Sequence, residues 1–462
     1  MSASPARLSA LWELDQRALP NWPARTMRRL RRFRLSDARD IDLAEKITHG
    51  VVKELLVLQR LATEYSGRSL QQIDVPAQKI LAVAMYQMRA LARVPTHAIV
   101  DDAVEQARDA GLGGAGGFVN AVLRKAAMNR AAGANVPDQG SASLEGVTPV
   151  TPASAPSVST KRQRAAALQE DRFTPSERAE REFSFPREVF DRFARLYGPD
   201  DALAMCRAFN ADPPMLARLI APTTIEQLVA AGVDATPHAQ PGIVVLKDVR
   251  RAKLRELADA GLCQPQDATS AATVDHLDLQ PGQRVLDRCC GRGTKTRQIH
   301  ERVGPTGRVV AMDPSEERLA QLRELLAKHS INNVQLVNAG TIDRLDPEEE
   351  FERVLIDAPC SNSGVFARRP EARYHQNPKH VSRIVELQRR ILTDTAPIVA
   401  SGGRIVYATC SVWPEENEAV VEAFLKASGK FKRLNQQSIP PQPSEDPTQY
   451  RDGGFVAVLE KR

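Results

Sequence analysis

From Ala271 onward, short β-branched and apolar runs alternate with helical stretches, and this alternation constrains the fold more than any other feature of the chain. Arg284–Asp287, Arg308–Asp313, Val334–Val337, Arg353–Asp357 and Arg404–Thr409 read as strands. Ser315–Lys328 reads as a helix, with Leu319, Leu322, Leu325 and Leu326 on one face. Strands separated by helices form a mostly parallel, doubly wound sheet. Such sheets bind ligands beyond the carboxyl ends of their strands. Two cysteines fall there: Cys360 follows Asp357-Ala358-Pro359, and Cys410 follows Tyr407-Ala408-Thr409. A thiol at a strand end is placed to react, whereas one in mid-strand is usually a small hydrophobe.

With 462 residues the chain is too long for one ordinary domain. Asp42 to Met128 is helical in pattern: Leu43, Ile47, Val51, Leu55 and Leu58 make one apolar stripe. An all-α domain is expected over 1–130. Residues 131–160 are rich in Pro, Gly, Ser and Thr and lack aromatics, and 161–180 are charged. Such composition does not offset the entropy of ordering, so 131–180 reads as a linker. Residues 181–270 carry aromatic and proline anchors, among them Phe183, Phe185, Tyr197 and Pro213, and read as a small connecting domain that binds RNA. The doubly wound domain then occupies 271–462.

Several classes are excluded. No stretch approaches the roughly eighteen consecutive apolar residues of a membrane span. The first residues lack a signal-peptide core, and Glu13 and Asp15 argue against a transit peptide. Six cysteines in this length are no disulfide framework, and without a C-x-x-C pair or clustered histidines no metal site is expected. A reducing cytoplasm fits these counts. The net charge is +6 and the cations cluster. Arg25, Arg28, Arg29, Arg31, Arg32 and Arg34 form one group, which suits a solvated helix face or a phosphate-binding surface equally well. Arg368, Arg369, Arg373 and Lys379 form a second, just after Cys360, where nucleic acid is the favoured partner.

The first strand of the sheet runs into Asp287-Arg288-Cys289-Cys290-Gly291-Arg292-Gly293-Thr294-Lys295-Thr296. Glycines here let the backbone turn tightly and approach a ligand. Asp313 ends the next strand, where an acid can bind ribose hydroxyls. A phosphate-cradling loop needs Gly before the Lys and again five positions earlier, but Thr294 and Cys289 stand there. A dinucleotide loop needs a third glycine, where the chain has Thr296. An adenosine ligand without a pyrophosphate, such as S-adenosylmethionine, remains. Cys289 and Cys290 read as packing residues under the loop.

Asp-Ala-Pro-Cys-Ser-x-x-Gly-x-x-x-Arg-x-Pro-Glu, from Asp357 to Glu371, and Tyr-Ala-Thr-Cys-Ser-x-x-Pro-Glu-Glu-Asn-Glu, from Tyr407 to Glu418, together resemble the RNA cytosine-5 methyltransferases. Gln266-Asp267-x-x-Ser270 and Asp452-Gly453 match as well. Val94-Pro95-x-His97 and Phe118-Val119-Asn120-Ala121-Val122-Leu123-Arg124 resemble a NusB-type RNA-binding domain. The resemblance implies a NusB-like helical domain joined to a Rossmann-like methyltransferase domain, S-adenosylmethionine as cofactor, and small-subunit ribosomal RNA as partner. It implies cofactor contacts from Cys289, Cys290, Gly291, Arg292, Gly293, Thr294, Lys295, Asp313, Asn338 and Asp357. The family's loop reads Cys-Ala-Ala-Pro-Gly-Gly-Lys-Thr; Cys290, Gly291, Arg292 and Thr294 depart from it. Asn338 stands where the family has Asp, and Gly454 where it has Phe.

The residues alone give two thiols and no order. The resemblance supplies one: Cys410 attacks carbon-6 of the cytosine, and Cys360 assists product release at or near the general-base step. Asp357 hydrogen-bonds the base, Lys295 orients the loop through Asp267 or neighbouring acids, and Arg368, Arg369 and Arg373 hold RNA phosphates. The rival reading is a non-catalytic RNA-binding factor, motivated by the altered loop and Asn338; both cysteines, Asp357 and Lys295 argue against it.

Overall fold

The chain divides after Ala211 into two units. The computed structural model describes residues 4–27, 30, 32, 35–112, 114–131, 173–340, 350–442, 444 and 446–462. Most of the expected linker, 132–172, lies outside them, as do Arg28, Arg29, Arg31 and Arg34 of the first cluster.

Among the described residues the named elements of the first unit are all helices. Its apolar stripe belongs to two helices, Ala38–Lys53 and Leu55–Ser66, which meet at Glu54, whose backbone leaves the helical region. Ile47, Val51, Leu55 and Leu58 are all fully buried. Gly50 is needed where the first of these helices crosses Val75–Ala90: a Cβ there would lie 1.9 Å from the Tyr86 ring. Asp15 ends the first helix, Pro5–Asp15, and is buried. Its carboxylate accepts from Thr26 N, Met27 N, Thr26 Oγ1 and Lys79 Nζ, the last at 2.8 Å. The helices Pro175–Phe183, Arg187–Tyr197 and Pro199–Asn210 belong to this unit. The segment expected as one connecting domain over 181–270 is therefore shared: its helices up to Asn210 lie in the first unit, and its strands, with the helices Ile225–Ala230 and Arg251–Asp259, lie in the second.

In the second unit, β1 (Met215–Leu219), β2 (Asp234–Pro237), β3 (Ile243–Lys247) and β4 (Cys263–Pro265) make an antiparallel sheet in the order β2-β3-β1-β4. The larger sheet contains β5 (Arg284–Asp287), β6 (Arg308–Asp313), β7 (Val334–Asn338), β8 (Phe351–Asp357), β9 (Val399–Thr409), β10 (Phe431–Ile439) and β11 (Gly454–Lys461). Its order is β10-β11-β9-β8-β5-β6-β7. β5 to β9 are mutually parallel, and β11 and β10 are added antiparallel. All five expected strands are present.

Both faces of the parallel region are buried, as a sheet covered by helices requires. Leu286, Val310, Val354, Ile356, Ile405 and Tyr407 pack on one face. Val285, Val309, Leu355 and Val406 pack on the other with Ile299 and Val303 of the helix Thr294–Val303. The connections leave β5 towards β6 on one side and follow β8 on the other, so the crevice beyond β5 and β8 is the topological switch point.

Lys79→Ala should destabilise the first unit by about 3–5 kcal/mol in chemical denaturation, because it strips the partner from a buried carboxylate. Arg60→Ala, removing one side of an exposed helix pair, should cost under about 1 kcal/mol in the same measurement.

Candidate active site

β5 delivers Asp287 to the switch point, and the loop after it turns back into the helix Thr294–Val303. Gly293 caps that helix at φ +86°, and a Cβ on it would strike Leu322 at 2.2 Å. Gly291, at φ +56°, has open space where its Cβ would be, and its N–H donates to Asp313 Oδ2 at 3.1 Å. Asp313 is buried at the end of β6, and its other oxygen accepts from Ser315 N at 2.9 Å. Cys290 packs with Ala311, Leu319 and Leu322, and Cys289 packs against the core on the other face. Burial pushes both thiols up, Cys289 to about 12. They lie under the loop as packing residues. Arg292 is exposed and Thr294 half-buried. Asn338 donates from Nδ2 to Glu316 Oε1 at 2.5 Å, at the rim.

Asp287 is fully buried; its Oδ2 accepts from Thr296 Oγ1 at 2.7 Å, while Oδ1 has no hydrogen-bond partner. Burial pushes its carboxyl up to about 7. Lys295 was expected to reach Asp267 or a neighbouring acid. It donates to Asp357 Oδ2 at 2.6 Å across the crevice between β5 and β8. Burial acts to lower the ammonium, but the Asp357 carboxylate outweighs it and holds Lys295 above its ordinary value. Asp267 instead caps the helix Ala268–Asp275 and pairs with Arg368.

β8 and β9 run side by side with Asp357 opposite Ala408, so both cysteine loops leave the sheet at one place. Ala358 N donates to Ala408 O at 2.8 Å just before they diverge. The result is a Cys360–Cys410 Sγ separation of 2.9 Å. Cys410 Sγ also donates to Asn362 Oδ1 at 3.2 Å, while Asn362 Nδ2 donates to the Cys360 carbonyl. Asn362 reaches both by adopting φ +60°. Gly364 N donates to Cys410 O at 3.0 Å, and Gly453 N donates to Gly364 O at 2.8 Å. A Cβ on Gly364 would sit 2.5 Å from Gly453 O, which explains the glycines of both motifs.

Beneath the thiols lies Glu416, fully buried. It accepts from Ser361 N at 2.8 Å, Ser411 Oγ at 2.7 Å, Gln388 Nε2 at 3.3 Å and, in a short contact, Ser361 Oγ. Ser361 and Ser411 each follow a cysteine directly. Ser363 Oγ lies 2.8 Å from Ser411 Oγ and accepts from Val412 N, adding a second tie between the loops. The hydrogen bond with Cys410, then burial, then the charges of Cys410 and Glu416 hold the Cys360 thiol well above its ordinary value. Sequence reading gave no role to Asn362, Ser361, Ser411 or Glu416. The signal was there in the repeated Cys-Ser and in a Glu set five residues after Ser411.

The expected phosphate-binding arginines need correction. Arg373 is fully buried and presents no guanidinium to solvent. Arg368 turns inward, donating to Asp452 Oδ2 at 2.7 Å and Pro214 O at 3.3 Å, with Asp267 at 3.5 Å and the Tyr450 ring beneath it. Two carboxylates around one arginine leave a charge uncompensated, and burial followed by the Asp267 charge pushes Asp452 up to about 7. Arg369 alone of the three is exposed; Lys379 and Arg383, at the start of the helix Pro378–Thr395, are exposed beside it in sequence. Among the described residues no helix is long and apolar enough to cross a membrane, and no group of three His, Cys, Asp or Glu is placed to hold a metal.

Residues 274–452 match the family model described as 16S rRNA methyltransferase RsmB/F, and residues 11–128 match the NusB family. The ribosomal RNA small subunit methyltransferase B of Vibrio cholerae serotype O1 is 30% identical over 437 residues, 92% of this chain and 90% of that one. The protein of that name from Pseudomonas syringae pathovar tomato is 29% identical over 408 residues, 86% and 82% of the two chains. Among solved structures, PH0851 aligns over all of both chains with a TM-score of 0.73 at 22% identity, a likeness of fold.

Asp287 carries a proton in the folded protein up to about pH 7 that the unfolded carboxyl releases near 3.8. Folded protein binds more protons in that window, so stability falls as pH rises through it. Asp287→Asn should flatten this part of the pH dependence, read as the melting temperature across the window; an unchanged slope would contradict the assignment.

Proposed function

The chain belongs to the ribosomal RNA small subunit methyltransferase B family, and from that premise we propose that it methylates carbon-5 of a cytosine in 16S ribosomal RNA through a covalent bond to Cys410. The observation that carries this reading is the pair of thiols in contact at 2.9 Å beside the Lys295–Asp357 pair. Either thiol alone would fit a packing role; two in contact at adjacent strand ends do not.

S-adenosylmethionine, the cofactor, supplies an electrophilic methyl group on a sulfonium and departs as a neutral thioether. The residues present fit it. Gly291 leaves room for close approach, Asp313 offers a buried carboxylate to ribose hydroxyls, and the unpartnered Asp287 Oδ1 faces no protein donor that would compete for it. Of the substituted loop residues, Cys290 changes the underside, Thr294 starts the helix and Arg292 is exposed, while Gly291 is itself the substitution that leaves this room.

Carbon-5 of cytosine is a weak nucleophile. Addition of the Cys410 thiolate to carbon-6 turns the ring into an enamine, and the carbon-5 electron pair then forms the new bond to the methyl carbon. Asp357, bound to Lys295 through Oδ2, keeps Oδ1 for the edge of the base and stabilises the ring as charge shifts. Loss of the carbon-5 proton to a base and expulsion of the thiolate restore the double bond. Cys360 assists this release, since its S–H lies against the departing sulfur. The base must leave any stack to reach the thiol, which costs a few kcal/mol, and a loop or single strand lowers that cost. Arg369, Lys379 and Arg383 supply the outward positive charge for the backbone, in place of Arg368 and Arg373.

Cys360→Ala incubated with the RNA and the cofactor should accumulate a denaturant-stable protein–RNA adduct on gels, and Cys410→Ala should give none. An adduct that requires Cys360 would reverse the roles. Changing Arg369, Lys379 and Arg383 together to Ala should lower the slope of log affinity against log salt by about 2, since each single-strand phosphate contact contributes about 0.7. Changing Arg368 should instead lower stability.

A further inference from the structure

We propose that Glu416 is a positioning residue that sets the order of the two thiols, holding both cysteine loops in register and keeping Cys360 in its thiol form while Cys410 attacks. The proposal rests on the reading of Cys410 as nucleophile and Cys360 as release partner.

The geometry is specific to that task. A buried carboxylate must be surrounded by donors. Glu416 takes three of its four from the residues that directly follow the two cysteines: Ser361 N, Ser361 Oγ and Ser411 Oγ. The fourth, Gln388 Nε2, also donates to the carbonyl of Pro359, the residue before Cys360. The Glu416 backbone carbonyl accepts from Tyr407 Oη at 2.7 Å, which fixes the turn back to β9. One carboxylate therefore holds the residue after each cysteine directly and the residue before Cys360 through Gln388, and sliding either loop would cost it a donor.

Its charge acts on the chemistry as well. The titratable and charged groups around Cys360 are Cys410 and Tyr407 on the β9 side, Glu416 beneath, and the Lys295–Asp357 pair that faces Cys410. After the hydrogen bond with Cys410, burial and the charge of Cys410, the Glu416 carboxylate opposes ionisation of Cys360. Two adjacent thiols of equal acidity would compete for the same cytosine; a carboxylate that opposes ionisation of Cys360 removes that competition.

The test needs neither RNA nor cofactor, so its failure is separate from failure of the methylation reading. Iodoacetamide labelling of the full chain is followed across pH, with the Cys360 peptide resolved by mass spectrometry. Glu416→Gln keeps the shape and removes the charge, so the midpoint for Cys360 should move to lower pH. Ser361→Ala, its fold checked by circular dichroism, leaves the carboxylate with one fewer donor, so the midpoint should move to higher pH. A residue that merely stabilised the loops would shift both variants in the same direction or neither. Opposite shifts support the proposal. An unmoved midpoint in folded Glu416→Gln, or a downward or absent shift in Ser361→Ala, overturns it.

Discussion

A carboxylate taken out of water stays charged only where donors replace its hydration, and Glu416 meets that requirement with groups from two loops that are about fifty residues apart in the chain. Both thiols of the proposed chemistry sit on those loops. The parallel register of β8 and β9 brings the strand ends together, but a register fixes backbone, not sulfur. The carboxylate, the Ser363–Ser411 contact and the Gly364–Gly453 approach convert neighbouring strand ends into two thiols in contact. Replacing any one of these groups with a bulkier or apolar residue would leave the sheet standing and the thiols misplaced.

The switch point of the sheet then explains why the cofactor loop and the thiols share a crevice. β5 carries the loop and β8 carries Asp357, and the Lys295–Asp357 ion pair spans the gap between them. That pair is the bridge between cofactor side and base side. The altered loop leaves this pair in place. The substitutions at Cys290 and Thr294 are absorbed by packing against Leu322 and by the start of a helix, while Gly293 and Lys295 keep the backbone path and the charge. Against the rival picture of a non-catalytic factor, Cys290 packs under the loop and Thr294 starts a helix, while Gly291, itself a changed position, still donates to Asp313.

The parts of this structure that rest on local pattern were legible in the sequence. The five parallel strands were, because strands buried on both faces read as continuous apolar runs. Cys360 and Cys410 were, because each such run ends in a thiol. β10 was not, since its Lys432, Arg433, Asn435 and Gln437 are exposed at a sheet edge and leave no apolar signature. The break at Glu54 was hidden because the apolar stripe continues across it. Arg368 and Arg373 misled for a different reason. Sequence shows that a residue is cationic, but whether its guanidinium faces water or a buried Asp452 depends on contacts across 84 residues of chain. Glu416 was missed likewise: a lone acid in a loop looks solvated until both serines are seen to point at it.

The central claim, that Cys410 is the attacking thiol, is tested most directly with RNA carrying 5-fluorocytidine at the target position. Fluorine cannot leave carbon-5 as a proton does, so wild-type protein supplied with S-adenosylmethionine should stop at the covalent stage. Protease digestion and mass spectrometry would then read which peptide carries the nucleotide. The account predicts the peptide that contains Tyr407-Ala408-Thr409-Cys410. A nucleotide on the Cys360 peptide, or methyl transfer to other cytidines with no adduct at all, would contradict it.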